Sequence, residues 1–304
     1  MRGDVELRHL RYFVAVAEAE SLTVAAKTKL HTSQPSLSRQ IRDLEDEIGA
    51  RLLTRKARGI ELTGAGRVFL DHARLVLSQV DAAAEAARRI AHPAKPCFVM
   101  GFLTGHELTW MPEALRILRG ELPNVDVMIS SQYSPVLADG LSKGKVDAAF
   151  LRRERGLPNL AFRPLVKESL AVIMPSDHRL AALKAIRPQD LAGETFVNVS
   201  NTAPVLRAVI DGYLRRSRVK IGSTHEADHL AMGILLVAST RGVGLLPAYA
   251  ENFLPSALTS RPLQGVTPKI DLVLGYNRSN QSPVLELLLS RLDELVARVS
   301  KKVR

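Results

Sequence analysis

The first 50 residues carry apolar side chains at helical spacing, in three short runs. Ser21 and Thr23 are suited to cap the second run, and a turn at residues 31–33 precedes the third. Pro35 suits the first turn of a third helix and Gly49 its end. Three short helices with a tight turn before the third predict a helix-turn-helix. The expected buried positions are Leu7, Leu10, Phe13, Val14, Ala17, Ala25, Ala26, Leu30, Leu37, Ile41, Leu44 and Ile48.

Residues 50–63 combine basic side chains with short apolar stretches. Leu52 and Leu53 lie on one side of a basic segment, and Ile60 and Leu62 lie on the other. This arrangement predicts a small two-stranded wing with a basic tip at residues 56–59.

From residue 65 to about residue 90 the pattern predicts one long helix. Its apolar positions are alternately four and three residues apart, which is the heptad spacing of a coiled coil. A partner helix would bury such a narrow stripe best. We therefore favour pairing of this helix with the same helix of a second subunit over packing of the helix along its own domain. The stripe consists of Phe69, Ala73, Val76, Val80, Ala83, Ala87 and Ile90.

Beyond a proline-containing break at residues 92–96, strand-like and helix-like segments alternate. Such alternation predicts a mostly parallel α/β sheet. The segment is long for one sheet, so we expect two lobes with a ligand cleft at the strand ends. Strands are expected at residues 97–102, 125–130, 146–150, 170–174, 195–199, 219–223, 243–246 and 270–276, and helices at residues 106–120, 135–143, 203–216, 227–239 and 283–298.

Composition adds the cellular setting. Hydrophobic residues make up 46% and charged residues 24%, as in ordinary globular proteins. The single cysteine, Cys97, excludes an intrachain disulfide and fits a reducing compartment. Charges interrupt the N-terminal residues where a signal peptide needs an apolar core, and no apolar run reaches membrane-spanning length. We therefore expect a cytoplasmic protein without a membrane partner.

The net charge of +11 favours a polyanionic partner. Residues 1–92 carry 15 Lys and Arg against 12 Asp and Glu, whereas residues 93–304 carry 27 against 19. Most of the excess therefore lies outside the predicted helix-turn-helix. A prediction of nucleic-acid binding must rest on individual residues.

Polar side chains open the third predicted helix. A recognition helix presents its N-terminal residues to the major groove, where Gln bonds adenine and Arg bonds guanine. Basic residues of a wing would follow the phosphate backbone. A solvated polar face of a helical hairpin fits the composition equally well. The candidate DNA contacts are Ser33, Gln34, Pro35, Ser36, Ser38, Arg39, Arg55, Lys56 and Arg58.

Polar residues also follow several predicted strands of the second half. Free N–H groups at helix starts, hydroxyls and a guanidinium together suit a carboxylate. Ordinary helix caps and a solvated arginine are the alternative reading. The candidate ligand contacts are Thr104, His106, Ser134, Arg152, Asn198, Ser200, Asn201 and Thr202.

We find no motif for catalysis, a metal or a cofactor. Cys97 begins a predicted core strand without a His partner, which favours a buried, inert thiol. His225 and His229 lack the remainder of a zincin motif, which favours a structural or surface role. A metabolic enzyme would need such a motif, and a solute-binding protein would carry a signal peptide and no helix-turn-helix. A non-enzyme without a cofactor is expected.

The chain closely resembles the LysR-type transcriptional regulators. The resemblance rests on ELRHLRYFVAVAE, SQPSLSRQIRDLE, IGARLLTR and LTGAG in the first 66 residues, and on LSKGKVDAAF and GVGLLP later. It implies a winged helix-turn-helix at residues 1–63, a dimerising linker helix at residues 64–91 and an effector domain at residues 92–304. That domain would resemble a periplasmic binding protein, with lobe I at residues 97–165 and 269–304 and lobe II at residues 166–268.

The same resemblance implies function. Such regulators are usually tetramers that control transcription from promoter DNA, with RNA polymerase as a candidate further partner. It implies DNA contacts at Gln34, Pro35, Ser38, Arg39 and Arg55. The HLRYFVAVA and LHTSQPSLS segments are most similar to regulators of phenylpropionate and hydroxycinnamate breakdown. Ser134 and Arg152 match positions used in regulators of aromatic-compound degradation. The implied effector is an aromatic or other small organic carboxylate.

One departure from the family pattern lies just before the predicted turn. The family usually has two residues between an Ala-Ala pair and a Leu, whereas this chain has Lys27, Thr28 and Lys29 between Ala26 and Leu30. An inserted residue rotates a helix by about 100°. Either the turn absorbs the extra residue, or the alanine pair packs out of register.

Overall fold

The computed structural model describes residues 5–56, 59–91 and 97–302, and the chain divides into two compact units, residues 1–91 and 92–304. In the first unit the predicted helix-turn-helix and wing are confirmed. Phe13, Leu37 and Leu44 are fully buried at its centre. Its elements are α1 (Leu7–Ala19), α2 (Leu22–Val24), α3 (Gln34–Ile48), the antiparallel strands β1 (Leu53–Lys56) and β2 (Gly59–Leu62), and α4 (Gly64–Ala91).

The extra residue before the turn is absorbed by a change of helix type. The segment Ala25–Lys29 is a π-helical turn, in which the Leu30 amide donates to the Ala25 carbonyl at 3.1 Å, five residues back. A π turn holds one more residue than an α turn. Ala25 and Ala26 both remain fully buried, so the alanine pair keeps its place in the core.

A buried carboxylate ties α3 to the wing. Glu45 Oε1 accepts hydrogen bonds from the amides of Leu52 (2.8 Å) and Leu53 (2.9 Å), and Oε2 accepts one from Arg51 Nη1 (2.7 Å). Burial by itself raises the pKa of Glu45, but these hydrogen bonds and the Arg51 charge outweigh it, so the pKa lies below its ordinary value. The charged form therefore holds the wing against the reading helix.

The predicted stripe along α4 is divided between two environments. The ring of Phe69 packs edge-on against Phe13, with 5.2 Å between centroids, and Ala73 is buried in the same core. Their own unit therefore covers Ala73 and part of Phe69, and pairing of the stripe with another subunit stays a prediction. Further along, Val76, Ala83 and Ala87 are exposed and Val80 is half-buried. The Ile90 side chain lies outside the described residues.

The second unit is a two-lobed α/β structure, as predicted. Its sheet is mixed instead of mostly parallel, because four of the strand pairs in the described residues are parallel and four are antiparallel. Its strands run in the order β4-β3-β5-β11-β6-β9-β7-β8, with β10 also paired to β6. The elements are β3 (Cys97–Leu103), α5 (Glu107–Glu121), β4 (Asp126–Gln132), α6 (Ser134–Ser142), β5 (Ala148–Leu151), β6 (Leu160–Pro175), β7 (Phe196–Val199), α7 (Pro204–Arg216), β8 (Thr224–Ala227), α8 (Leu230–Thr240), β9 (Val243–Pro247), β10 (Leu258–Pro262), β11 (Lys269–Asn277), α9 (Pro283–Ser290) and α10 (Leu292–Lys302).

Strand β6 passes from one lobe to the other. Its first part, Leu160 to Ser169, pairs with β11 beside the parallel strands β3, β4 and β5 of lobe I. Its last part, Leu170 to Pro175, pairs with β9 and β10 of lobe II. Glu168 therefore lies two residues before the point at which β6 changes its pairing from β11 to β9 and β10.

Several predicted elements differ from the observed ones. Strand β6 begins ten residues before the predicted start, because Pro164 and interleaved polar residues disguise its first half. Strand β8 lies at residues 224–227 instead of 219–223, since three of its four side chains are exposed at the sheet edge and carry no apolar signal. Strand β10 was not predicted. The helix expected at residues 283–298 is two helices that meet at Arg291, and Cys97 is exposed, so the prediction of a buried thiol is wrong.

No helix of the described residues is long and apolar enough to cross a membrane. The described residues likewise contain no group of three or more His, Cys, Asp or Glu side chains that could hold a metal ion.

Replacing Glu45 with Gln tests the tie between α3 and the wing. We expect a loss of about 2 kcal/mol in the free energy of unfolding of the first unit at pH 7, because the buried amides lose a charged acceptor. Since the folded pKa of Glu45 is depressed, its contribution is present above the ordinary pKa of 4.5 and is lost as pH falls below it. Hydrogen exchange at the Leu52 and Leu53 amides measures the loss in the free energy of unfolding and its dependence on pH. Replacement of the exposed Asp46 with Asn is the control. If the difference in stability between wild type and Glu45→Gln does not shrink as the pH is lowered, the result contradicts this account.

Deleting Lys27 tests the π turn. Removal of this exposed residue should restore a regular α-helix and leave the first unit folded, with a change of less than about 1 kcal/mol in its free energy of unfolding. The matched control is deletion of Arg42, which lies inside regular α3 and whose loss would rotate Leu44 and Glu45 out of the core. The interpretation fails if the two deletions unfold the unit, as followed by hydrogen exchange, to the same extent.

Candidate functional sites

The start of α3 presents a polar surface. Ser33 caps the helix, with its hydroxyl accepting from the Ser36 amide at 3.3 Å, and Pro35 occupies the first turn. Pro35, Ser36 and Arg39 are exposed, and Gln34 is half-buried. The Arg39 side chain is 78% exposed and lies 3.9 Å from Asp43, a surface pair that constrains it little. These side chains are therefore available to a partner.

Ser38 does not belong to that surface. It is 8% exposed and lies in the buried stripe of α3, beside Leu37 and one turn from Ile41. The stripe includes positions 37, 38, 41, 44 and 45, because a face wide enough to cover a core takes in neighbouring positions. The prediction that the Ser38 hydroxyl faces the partner is wrong.

In the wing, Lys56 pairs with Gly59 across the hairpin. Lys56 Nζ lies 2.7 Å from the Glu61 carboxylate, and both side chains are well exposed. This pair is weak enough for a phosphate to replace the carboxylate. The Arg55 side chain and Arg58 lie outside the described residues.

In the second unit, a cavity lies where the two lobes meet. Its free volume is about 80 Å³. Most of its wall is apolar, with Leu103 from one lobe and Val197, Leu206 and Leu246 from the other. Five of the predicted ligand contacts line it, namely Thr104, Ser134, Arg152, Asn198 and Thr202.

Three predicted contacts are not among the lining residues of this cavity, and their contact with a ligand stays a prediction. His106 is buried behind the wall, where its ring lies 4.0 Å from that of Tyr249. The Ser200 hydroxyl accepts from the Thr202 amide at 3.2 Å and so shapes the turn that presents Thr202. Asn201 is exposed on the same turn.

A buried ion pair lies at the base of the cavity. Arg152 is 4% exposed, its Nη2 donates to Glu168 Oε2, and its amide donates to the Ser134 hydroxyl at 2.9 Å. Glu168 Oε1 is also 3.1 Å from His106 Nε2. Arg152 and Ser134 lie at strand and helix ends of lobe I, whereas Glu168 lies just before β6 crosses to lobe II.

The protonation states in this cluster follow from burial and charge. Burial is the main cause that lowers the pKa of His106, and Glu168 only partly opposes it, so the imidazole is neutral at pH 7. Burial alone would raise the pKa of Glu168, but the His106 hydrogen bond and the Arg152 charge lower it. A carboxylate faces a guanidinium, and the cluster has no net charge.

The ion pair leaves part of the guanidinium open. Within the described residues, Arg152 Nη1 is buried and has no hydrogen-bond partner. Because an unpaired buried donor is costly, this atom is suited to receive an acceptor from a ligand. A carboxylate in the cavity could bond Nη1 while Glu168 keeps the other edge of the same group.

Tyr249 connects the lobes at this point. Its hydroxyl donates to the Thr104 carbonyl at 3.3 Å, and burial raises its pKa to about 12. The ring packs so tightly that a Cβ at Gly105, which has a φ of +97°, would lie 2.6 Å from it. Glycine at 105 is therefore required both by its backbone and by the ring.

Six polar residues of the cavity and its base are not among those predicted, namely Tyr133, Glu154, Glu168, Asp228, His229 and Tyr249. The sequence held one indication of Glu168, because it is the single acidic residue of β6 and lies two residues before the apolar end of that strand. His229 caps α8, with Nδ1 accepting from the Met232 amide at 3.1 Å, which leaves Nε2 as a donor. Its surface location agrees with the role predicted for it.

Comparison with known families gives two matches. Residues 7–67 match the bacterial regulatory helix-turn-helix protein model of the lysR family. Residues 98–297 match the LysR substrate binding domain. The matches cover both units and most of the chain.

Individual relatives agree with these matches along nearly the whole length. The Hca operon transcriptional activator HcaR of Escherichia coli is 34% identical over 300 residues, which cover 97% of this chain and 100% of that protein. The probable cat1 operon transcriptional activator of Acinetobacter lwoffii is 30% identical, with 96% and 97% covered. The crystal structure of full-length BenM is similar with a TM-score of 0.59 at 27% identity, covering 96% of this chain and 97% of that one.

Proposed function

The chain belongs to the LysR family of bacterial transcriptional regulators, and from that premise we propose that a small aromatic carboxylate in the cavity of the second unit controls how the first unit acts on promoter DNA. The observation that carries this proposal is the unpaired Nη1 of Arg152, a residue that lines a cavity with a mostly apolar wall. An apolar wall with a few placed polar groups is typical of a small-molecule site.

The expected binding pose follows from the lining residues. The carboxylate of the ligand would accept hydrogen bonds from Arg152 Nη1 and from the free N–H groups at the start of α6, beside Ser134. Thr104, Asn198 and Thr202 would complete the polar contacts. The apolar residues of both lobes would enclose the remainder of the molecule. An aromatic body agrees with the sequence resemblance to regulators of phenylpropionate and hydroxycinnamate breakdown.

DNA reading is proposed for the exposed start of α3. Gln34, Ser36 and Arg39 are placed to contact base edges and phosphates, and Pro35 to pack against them. Ser33 would act mainly by fixing the helix start, and Lys56 with its neighbours in the wing would follow the phosphate backbone. Ser38, being buried, is left out of this set.

Assembly is proposed to use the exposed part of α4. Val76, Val80, Ala83 and Ala87 continue the heptad stripe beyond the region covered by the first unit. Two such helices side by side would bury these residues and bring two copies of α3 to a two-fold related DNA site. A tetramer would then consist of two such dimers.

Regulation without catalysis is the remaining part of the proposal. An effector that binds one arrangement of the lobes more tightly than another shifts the equilibrium between them, and no chemical step is needed. A regulator of transcription acts where the chromosome lies, which agrees with the expected cytoplasmic location. The curated relatives are named as transcriptional regulators, which supports a non-enzymatic role over an enzyme or a solute-binding protein.

Replacing Arg39 or Gln34 with Ala tests the proposed reading surface. Each change should weaken binding to the DNA upstream of the chain's own gene by about 1–3 kcal/mol in a gel-shift titration. Loss of a phosphate contact would instead lower the salt dependence of binding by about one unit of slope. The control is Arg215→Ala, because Arg215 is an exposed residue of α7 in the second unit. This change also removes one positive charge, and the variant should bind DNA like the wild type. If all three variants bind equally well, the surface is assigned wrongly.

Replacing Arg152 with Gln tests the effector site. We expect calorimetric titration of the full chain with benzoates and phenylpropionates to show binding to at least one member, weakened about tenfold or more in Arg152→Gln. The control is Arg153→Gln, because Arg153 is adjacent and exposed, with its guanidinium 5.6 Å from the Phe162 ring instead of in the cavity. Equal affinities in wild type and Arg152→Gln would contradict the proposal.

A further inference from the structure

A second charged side chain enters the cavity close to Arg152. Glu154 lies two residues further on, in the loop after β5, and both residues line the cavity. Arg153, between them, is exposed, lies over the Phe162 ring and is not among the lining residues. One small molecule can therefore contact both Arg152 and Glu154.

These two side chains have complementary needs. Among the described residues that line the cavity, Arg152 Nη1 and Glu154 Oε1 are the buried side-chain polar atoms without a hydrogen-bond partner. The first is a donor and the second an acceptor. Burial raises the pKa of Glu154, as expected for a carboxyl whose charge is not compensated by its surroundings.

The other carboxylate near the cavity differs in this respect. Glu168 is bonded to Arg152 and to His106, so its oxygens are already supplied with donors. Glu154 Oε1 has no comparable partner in the described part of the chain. Unpaired buried acceptors are uncommon in native proteins, and in a binding site they are matched by the ligand.

We propose that Glu154 determines effector specificity, and that the effector of this site carries a hydrogen-bond donor, a hydroxyl or an ammonium group, in addition to its carboxylate. The carboxylate accepts from Arg152 Nη1 and the donor group bonds Glu154 Oε1. An aromatic acid without such a donor leaves Glu154 Oε1 buried and unpaired, so it binds more weakly. This inference rests on the proposed effector function of the cavity.

Matched ligands test the inference on the full chain by calorimetry. The reference ligand is 3-phenylpropionate, and the test ligands are its three ring-hydroxylated isomers and phenylalanine, which adds an ammonium group. We expect at least one test ligand to bind about tenfold or more tightly than the reference. The methyl ether of the best hydroxylated isomer keeps the oxygen but lacks the donor, and should lose the preference.

Variants of Glu154 assign the preference to this residue. Glu154→Gln keeps an acceptor oxygen and should keep the preference for the donor-bearing ligand. Glu154→Leu removes the acceptor and should bind the donor-bearing ligand and 3-phenylpropionate within about twofold of each other, with 3-phenylpropionate bound no more weakly than in wild type. Arg153→Gln should behave like wild type, and thermal unfolding should show that every variant is folded.

The outcomes separate this inference from the function on which it rests. Arg152-dependent binding of 3-phenylpropionate without any gain from a donor group overturns the role of Glu154 and leaves the carboxylate site intact. A preference that survives in Glu154→Leu also overturns it. If none of these ligands binds to the wild type, both the proposed effector class and the role of Glu154 are overturned.

Discussion

The ion pair between Arg152 and Glu168 is the interaction on which the proposed ligand site depends. Burying two charges is costly, and in this structure the cost is offset by their mutual attraction and by the His106 bond to the carboxylate. The Ser134 hydroxyl holds the Arg152 backbone in place. The pair fixes the guanidinium but uses only one edge of it. Removing either partner would leave an uncompensated buried charge, which typically costs about 3–5 kcal/mol. A rigid group with one open donor is preorganised for a carboxylate, so little ordering is left for the ligand to bring about.

The first unit uses a buried carboxylate in a different way. Glu45 has hydrogen bonds on both of its oxygens from residues next to it in the fold, so the link between α3 and the wing is closed and structural. At Arg152, by contrast, the Nη1 donor has no hydrogen-bond partner among the described residues, and Arg152 lines the cavity. Its partner Glu168 lies two residues before β6 changes its pairing from β11 to β9. A ligand bound to Arg152 would therefore act on a residue that is bonded to the strand crossing between the lobes.

Local periodicity was sufficient for the helix-turn-helix, the long helix and most strands of the second unit. It failed where the position of a residue depends on tertiary packing and not on the local sequence pattern. The first half of β6 contains Pro164 and alternating polar residues, and β8 is an exposed edge strand. Ser38 was assigned to the outer face because it is polar, although the buried stripe of α3 includes it. Following strand ends located Ser134 and Arg152, but not Glu168, which lies 16 residues beyond Arg152 and reaches it through the pairing of β6 with β11 and of β11 with β5. Such pairing depends on the whole sheet.

The central claim is that Arg152 Nη1 receives the carboxylate of the effector. A crystal structure of the complex with whichever phenylpropionate or benzoate binds most tightly tests it directly. The account predicts a ligand carboxylate oxygen at about 2.7–2.9 Å from Arg152 Nη1, with the Arg152–Glu168 pair still formed. A ligand whose carboxylate is instead held by the turn at Thr202, with Nη1 out of contact, or a ligand bound outside this cavity, would contradict it.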